Sequence, residues 1–386
     1  MDLKIFFSPI EEAVFDEIQD QTSFFKNIQL FSEKQPSYKG ANIAIIGLTE
    51  VAQQDNTKLS SHAADEIRKK LYRLKKGFGQ YKVIDLGNLR CSADGNESQL
   101  RLKEVCATLI ESDVLPIIIG GTHAYTYGQY LAYEDMDKLV SLLNVDAFLD
   151  IDDDGNTINN TNHLHKILLH EPNYLFSLFQ LAYQSYLIDN ETLAVLEKLY
   201  FDAYRLGHLR QYLPEMEPII RDADLMSFDI TAIKSSDAPG SKKAQPFGLT
   251  GEEACQICWY AGLNEKLSSV GFYEYDPECD DAHKKTAAVT ATMIWYFVEG
   301  YYHRKEEHNF KGNDYMRYVV SMPTEPENLV FYKSKQSEKW WMEVPYPHDK
   351  FLYERNLIVP CSYSDYELAS KGEVPERWIT TQARLI

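Results

Sequence analysis

The chain is poor in positive charge, in cysteine and in long apolar runs, and each shortage closes off a class of protein. Lys and Arg number 39 against 58 Asp and Glu, a formal charge of −19 at pH 7. Such an excess of anions excludes a nucleic-acid partner held through phosphates, because that affinity rests on Lys and Arg displacing counterions. Six cysteines, irregularly spaced over 386 residues, make no disulfide framework, and a core of this size needs no covalent staples. No apolar run reaches the length of a membrane span. The start, Met1 to Phe7, meets Glu11 and Glu12 before a signal-type core can form. The expected protein is cytoplasmic, with reduced thiols and no membrane partner. Internal repeats and low-complexity tracts are also missing.

What is there is an ordinary apolar fraction, 44%, laid out as alternating strand and helix patterns. Ala41 to Gly47 is the first strand-like run. Ser60 to Leu74 follows with Ile67, Leu71 and Leu74 at helical spacing. Tyr81 to Gly87 reads as a strand, Asn96 to Ser112 as an amphipathic helix and Leu115 to Ile119 as the next strand. Leu139 to Val145, Tyr174 to Leu187 and Val270 to Pro277 read as further strands, and Ile219 to Ile230 returns the chain to the sheet. Glu191 to Arg205 and Ala287 to Tyr301 read as helices. This alternation predicts an α/β protein with a parallel sheet.

Thr250 and Glu253 have the spacing of a capping box opening a helix that reaches Gly262. Cys255 and Cys258 match a CxxC pattern inside it, without a second pair, so they read as a packed helix face. The domain expectation is a helical N-terminal extension over 1–40, a main α/β domain over 41–305 and an appended, aromatic-rich segment over 306–386.

Three runs carry the chemistry. Gly120-Gly121-Thr122-His123 follows one strand, Asp146-Ala147-Phe148-Leu149-Asp150 another, and Ser227-Phe228-Asp229 ends a third. Side chains at the carboxyl ends of neighbouring parallel strands face one crevice. There His123, Asp146, Asp150 and Asp229 form an imidazole and carboxylate set suited to a divalent cation of the Mn or Zn kind. Three acidic groups in a water-poor pocket repel one another unless a cation or raised pKa values relieve them. Glu274 ends a fourth strand on the same edge. Asp150 to Gly155 resembles the start of a calcium loop, but its twelfth position is Thr161 and no helix precedes it. Asn159, Asn160, Asn162, His163 and His165 form a polar loop over the same edge.

Gly-Gly-x-His, Asp-Ala-x-x-Asp and Ser-Phe-Asp, with a later Ala-Pro-Gly and Gly-Leu-Thr, resemble in order and spacing the arginase (ureohydrolase) superfamily, and most of all its formimidoylglutamase and arginase-like bacterial members. The resemblance spans Ile43 to Tyr301. It implies a three-layer α/β/α fold around a doubly wound parallel sheet of eight strands. It also implies hydrolysis of a guanidino or formimino small molecule with Mn²⁺, in a protein that is commonly a trimer or hexamer.

By family logic His123 and Asp150 serve one ion, Asp146 and Asp229 bridge two, Glu274 pairs with the substrate, and His165 shuttles a proton to the leaving amine. The loop reading the substrate's far end corresponds to about Asp154 to Asn162. Two family ligands are replaced: a histidine by Phe148 and an aspartate by Thr231. Both belong to the second ion alone, so the resemblance implies one intact metal site and a degenerate second. A phenyl ring cannot bind a cation and a neutral hydroxyl binds it weakly. The expected function is a metal-dependent hydrolase of linear amidines. The alternative is a catalytically inactive relative that binds a ligand or serves assembly.

Overall fold

The computed structural model describes residues 3–49, 62–92, 95–152, 158–307, 310, 312–346 and 356–385. Two-residue strands β1 (Phe7–Ser8) and β2 (Gln29–Leu30) precede β3 (Ile43–Thr49), β4 (Val83–Arg90), β5 (Leu115–Ile119) and β6 (Val140–Val145). Then come β7 (Leu175–Tyr183), β8 (Asp202–Arg205), β9 (Leu225–Asp229) and β10 (Ser269–Tyr273). These ten form one sheet in the order β1-β4-β3-β5-β10-β9-β6-β7-β8, with β2 paired to β4. β4 through β8 along that path are eight parallel strands. The count of eight therefore holds for the parallel body. The whole sheet has ten because the N-terminal segment adds β2 in parallel and β1 antiparallel.

Helices cover both faces. α1 (Ala63–Leu71) is followed by α2 (Gly95–Ile110), α3 (Tyr125–Asp135), α4 (His163–Leu168), α5 (Asn190–Lys198), α6 (Leu206–Gln211) and α7 (Glu217–Arg221). α8 (Gly251–Leu263) and α9 (Lys285–Tyr301) complete this body. Alternation along β3 divides the core: Ile43 and Ile45 pack with residues of α1, α8 and α9, while Ala44, Ile46 and Leu48 pack with those of α2 and α3. Sheet and flanking helices are thus locked by apolar burial on both sides, the arrangement that parallel sheets require. Thr250 and Glu253 do form a reciprocal capping box on α8. Cys258 faces the core and burial pushes the half-buried Cys255 thiol up to about 12, so both are inert packing groups.

Two expectations are corrected. The helix pattern of Glu191 to Arg205 is interrupted, because α5 stops at Lys198 and Asp202–Arg205 joins the sheet edge as β8 beside β7. Residues before 40 are not a helical extension: short 3-10 turns at Leu3–Phe6, Glu12–Val14 and Phe25–Asn27 accompany β1 and β2. Several acidic residues there have helix propensity, but Phe7 and Phe24 reach full burial on the sheet and tertiary packing decides the backbone.

The last part of the chain forms a four-stranded antiparallel sheet, β11 (Tyr315–Ser321), β12 (Asn328–Ser334), β13 (Trp340–Pro345) and β14 (Asn356–Cys361), with α10 (Tyr363–Ser370) and α11 (Glu376–Leu385). It has its own core around Phe331, Trp340, Met342 and Val344. Arg221 of α7 reaches it, donating to Trp340 O and Cys361 O and lying 4.3 Å over the Trp341 ring.

Candidate metal centre

Strand order builds the site. β5, β10, β9 and β6 are consecutive neighbours at the middle of the sheet, so the residues at or just past their carboxyl ends meet although they are far apart in sequence. The chain jumps from β5 over two later strands to β6, a switch point of the kind where open α/β sheets hold ligands. Gly120 and Gly121, with φ of +79° and +75°, turn the chain after β5. A side chain at Gly121 would meet Leu48 at 2.7 Å, so the turn that delivers His123 needs glycine there for backbone and for space.

His123, Asp146, Asp150 and Asp229 come together, buried, with ligand atoms all within 4.8 Å of one another. Nδ1 of His123 lies 3.3 Å from Oδ2 of each of the three aspartates. Groups that bind one ion at about 2.0–2.2 Å stand roughly 3–3.5 Å apart, so the spacing suits a single cation. Neither His123 Nδ1 nor Asp146 Oδ2 makes a hydrogen bond. Buried polar atoms left so are costly, and a divalent ion would satisfy both; the donor set fits it.

The outward oxygens are tied off. Asp146 Oδ1 accepts from the Phe148 amide at 3.0 Å and the Thr231 hydroxyl at 3.2 Å, and Asp229 Oδ1 accepts from the Thr231 amide at 2.6 Å. Gln180 on β7 fixes the loop behind them, donating to Asp146 O and Phe148 O. On the far side Nε2 of His123 is 2.8 Å from Ser227 Oγ, itself 2.5 Å from Thr126 Oγ1. That bond sets the ring orientation and leaves Nδ1 for the cluster.

Electrostatics reflect the crowding. Burial and then the Asp150 charge push Asp146 up to about 6, and burial with Asp146 raises Asp229. Burial disfavours a charged His123, but the three carboxylates outweigh it and its pKa is raised well above the usual value. Burial and then Asp229 hold the Glu274 carboxyl up at about 8. Glu274 has a left-handed backbone, φ +65°, held by its amide on Gly121 O at 3.0 Å. Its Oε1 accepts from the His123 amide at 2.8 Å and from Asn160 at 3.2 Å. Strain of this kind in a non-glycine residue marks sites where function constrains the backbone.

Of the expected residues, His123, Asp146, Asp150, Asp229 and Glu274 lie together. His165 belongs to no group of possible ligands, whereas His163 groups with His123 and Asp150, apart from Asp146 and Asp229. Residues two apart on a helix point about 200° apart, so α4 presents one or the other. His163 shares its face with Ile167, which is fully buried, while His165 lies above Leu169, 66% exposed. That pairing with Ile167 four positions on was the signal available in sequence. Two more residues escaped sequence reasoning: Ser227 behind His123, and Lys243, whose Nζ lies 5.7 Å from the Phe148 ring. Part of the expected substrate loop and of the calcium-like run, 153–157, lies outside the described residues.

A parallel sheet between two helical layers, with an imidazole and three carboxylates gathered where its central strands end, defines the class: three-layer α/β proteins with a cluster fit for a divalent cation. The chain belongs to the arginase family, whose model matches residues 41–299. It is 26% identical to the formimidoylglutamase of Geobacillus kaustophilus over 298 residues, 72% of this chain and 91% of that one. To the formimidoylglutamase of Staphylococcus haemolyticus it is 27% identical over 232 residues, 56% of this chain and 71% of that one. Among solved structures the fold is shared with Bacillus subtilis formimidoylglutamase, TM-score 0.65 at 18% identity, over 76% of this chain and 97% of that one. Trypanosoma cruzi formiminoglutamase with Mn2+2 matches with TM-score 0.62 at 19% identity, over 70% and 96% of the two chains.

Proposed function

We propose that this chain is a metal-dependent hydrolase of linear amidines that works with one divalent ion, held by His123, Asp146, Asp150 and Asp229. The observation that carries the reading is the equal 3.3 Å spacing of three carboxylate oxygens from one imidazole nitrogen. Formimidoylglutamate, arginine or a related guanidino compound is the substrate class, a choice supported by the formimidoylglutamase relatives. A bound divalent ion of the Mn²⁺ type would polarise the reacting group and lower the pKa of water.

The side chains do the rest. Glu274 lies buried beside the ligand cluster, where a bound divalent ion would favour its charged form. Its Oε1 is engaged by His123 and Asn160, which leaves Oε2 to accept hydrogen bonds from the amidinium of the substrate. The resulting amidinium and carboxylate pair orients the substrate. His165 as the donor of a proton to the leaving amine rests on the family resemblance, as does a homo-oligomeric state; a cytoplasmic location rests on the composition of the sequence alone. We assign this function to residues 41–305, with 1–40 and 306–386 as appended segments. Among the described residues no helix is long and apolar enough to cross a membrane.

Water adds across the C–N bond, so a formimino substrate yields formamide and an amine, and a guanidino substrate yields urea and an amine. The test is Mn²⁺-dependent release of formamide, urea or ammonia across such a panel, lost in Asp146→Ala. The second reading, ligand binding without turnover, is favoured by Phe148 and by the hydrogen bond that turns Thr231 onto Asp146. Tight binding across the panel with no product would establish it.

A further inference from the structure

Two charges of opposite sign flank the metal centre without belonging to it. One is Glu274, with Oε2 left for an amidinium. The other is Lys243, in the loop between β9 and α8, whose Nζ lies 5.7 Å from the centre of the Phe148 ring. Phe148 follows Asp146 by two residues, and its amide holds Asp146 Oδ1 at 3.0 Å, so the ammonium stands beside the ligand loop. It is close enough for its charge to act on both the Glu274 carboxylate and the His163 ring. The neighbouring Lys242 pairs with Asp276 at 3.9 Å, whereas Lys243 makes no ion pair among the described residues. A ring face alone is a weak partner for an ammonium that has given up part of its water. The loop is fastened on both sides of Lys243. The Gly240 amide donates to Thr286 Oγ1 at 2.7 Å, and Gly240 O accepts the amide of Asp276, two residues past Glu274, at 2.8 Å. Phe247 O accepts from Gln184 Nε2 at 2.5 Å, and the Gln184 amide donates to Ala147 O, next to Asp146, at 3.0 Å. Gln245 Nε2 donates to Lys243 O at 2.7 Å. The backbone that carries Lys243 is thus tied to the segments that carry Glu274 and Asp146.

We propose that Lys243 is a specificity-determining residue, its ammonium taking a carboxylate of the amidine substrate while Glu274 takes the amidinium end. This rests on the hydrolase reading given above and narrows it to amidines that carry a carboxylate. Two fixed charges of opposite sign select a ligand with the same two charges in the reverse order. The carboxylate gains a charge-assisted hydrogen bond from an ammonium that the chain leaves unpaired. An amide in its place forfeits that bond, and an amine would meet a like charge.

The test uses the full chain loaded with Mn²⁺ and pairs of compounds that differ only at the carboxylate: arginine with argininamide, and formimidoylglutamate with its diamide. For the wild type, KM, or Kd by calorimetry, should be at least about tenfold lower for the acid that is used than for its amide. Lys243→Met, which keeps the length of the stem, should abolish that gap by raising KM for the acid, with kcat changed less. Lys243→Arg should retain most of the gap, and Lys242→Met, on the adjacent paired lysine, all of it. A gap that persists in a folded Lys243→Met overturns the proposal. So does a wild type that treats acid and amide alike, a result that needs no variant. Either result with amidines still hydrolysed leaves the hydrolase reading standing. A wild type that neither hydrolyses nor binds any of the four compounds defeats that reading, and the proposal with it.

Discussion

The Thr231 hydroxyl donates to Asp146 Oδ1 at 3.2 Å, on the oxygen that the Phe148 amide already holds at 3.0 Å. Asp146 therefore has one oxygen saturated by the chain and one, Oδ2, left for the cluster with His123. A carboxylate so bound is poorly placed to bridge two ions. Restoring the missing donors should reverse this: Phe148→His with Thr231→Asp should bind a second ion, read by elemental analysis. Neither single variant should, because each leaves the second ion short of a donor.

Ser227 should matter to metal binding without touching the ion. Its hydroxyl fixes His123 through Nε2 at 2.8 Å, and removing such an outer partner typically costs about 10–100-fold in affinity. Ser227→Ala should weaken the ion by that order in a calorimetric titration while leaving one ion per chain. An unchanged affinity would mean that His123 is oriented by packing alone.

The metal-free protein should lose stability as pH rises. Glu274 goes from 4.5 to about 8 on folding, and Asp146 from 3.8 to about 6. A raised carboxyl pKa means that the folded chain binds the proton more tightly, so its stabilising share is whole below the unfolded pKa and is gone above the folded one. The raised His123 acts with the same sign, its share lost as pH climbs through its folded pKa. Melting temperature without metal should fall between about pH 4.5 and about pH 8. Glu274→Gln should flatten the upper part of that slope, and saturating Mn²⁺ should reverse its sign.

Away from the site, Arg68 is the centre of a buried charge network. Its guanidinium, fully buried, pairs with Asp85 at 2.9 Å and also donates to Gly87 O and Asp65. Removing one member of a buried pair leaves the other charge stranded, at a cost of about 3–5 kcal/mol. Asp85→Ala should lower unfolding free energy by that amount in denaturant titrations, with metal stoichiometry unchanged in the folded fraction.

Much of this was legible beforehand, for identifiable reasons. Apolar runs such as Leu115 to Ile119 carry the parallel strands, and each ends in a turn or acidic motif, so His123, Asp146, Asp150, Asp229 and Glu274 could be placed on one edge without coordinates. β8 was not legible, because Asp202 to Arg205 has no apolar run and is a strand only through pairing with β7. His165 stood in for His163 because the family resemblance, and not the spacing of His163 to Ile167 on a six-residue helix, assigned the loop histidine. Lys243 and Phe148 meet through loop geometry that no periodicity encodes. The antiparallel sheet at the C-terminal end is not legible in the sequence because its strands carry aromatic residues on both faces. Trp340 and Trp341 are both nearly buried, one packed in that sheet's own core and the other against Arg221.

The most direct measurement is the number of ions per chain. After chelation and dialysis, reloading with Mn²⁺ and elemental analysis should give one ion per chain, and the aspartate variant Asp146→Ala should give none. Two ions per wild-type chain, or none, would contradict a centre built on His123 and the three aspartates for a single cation.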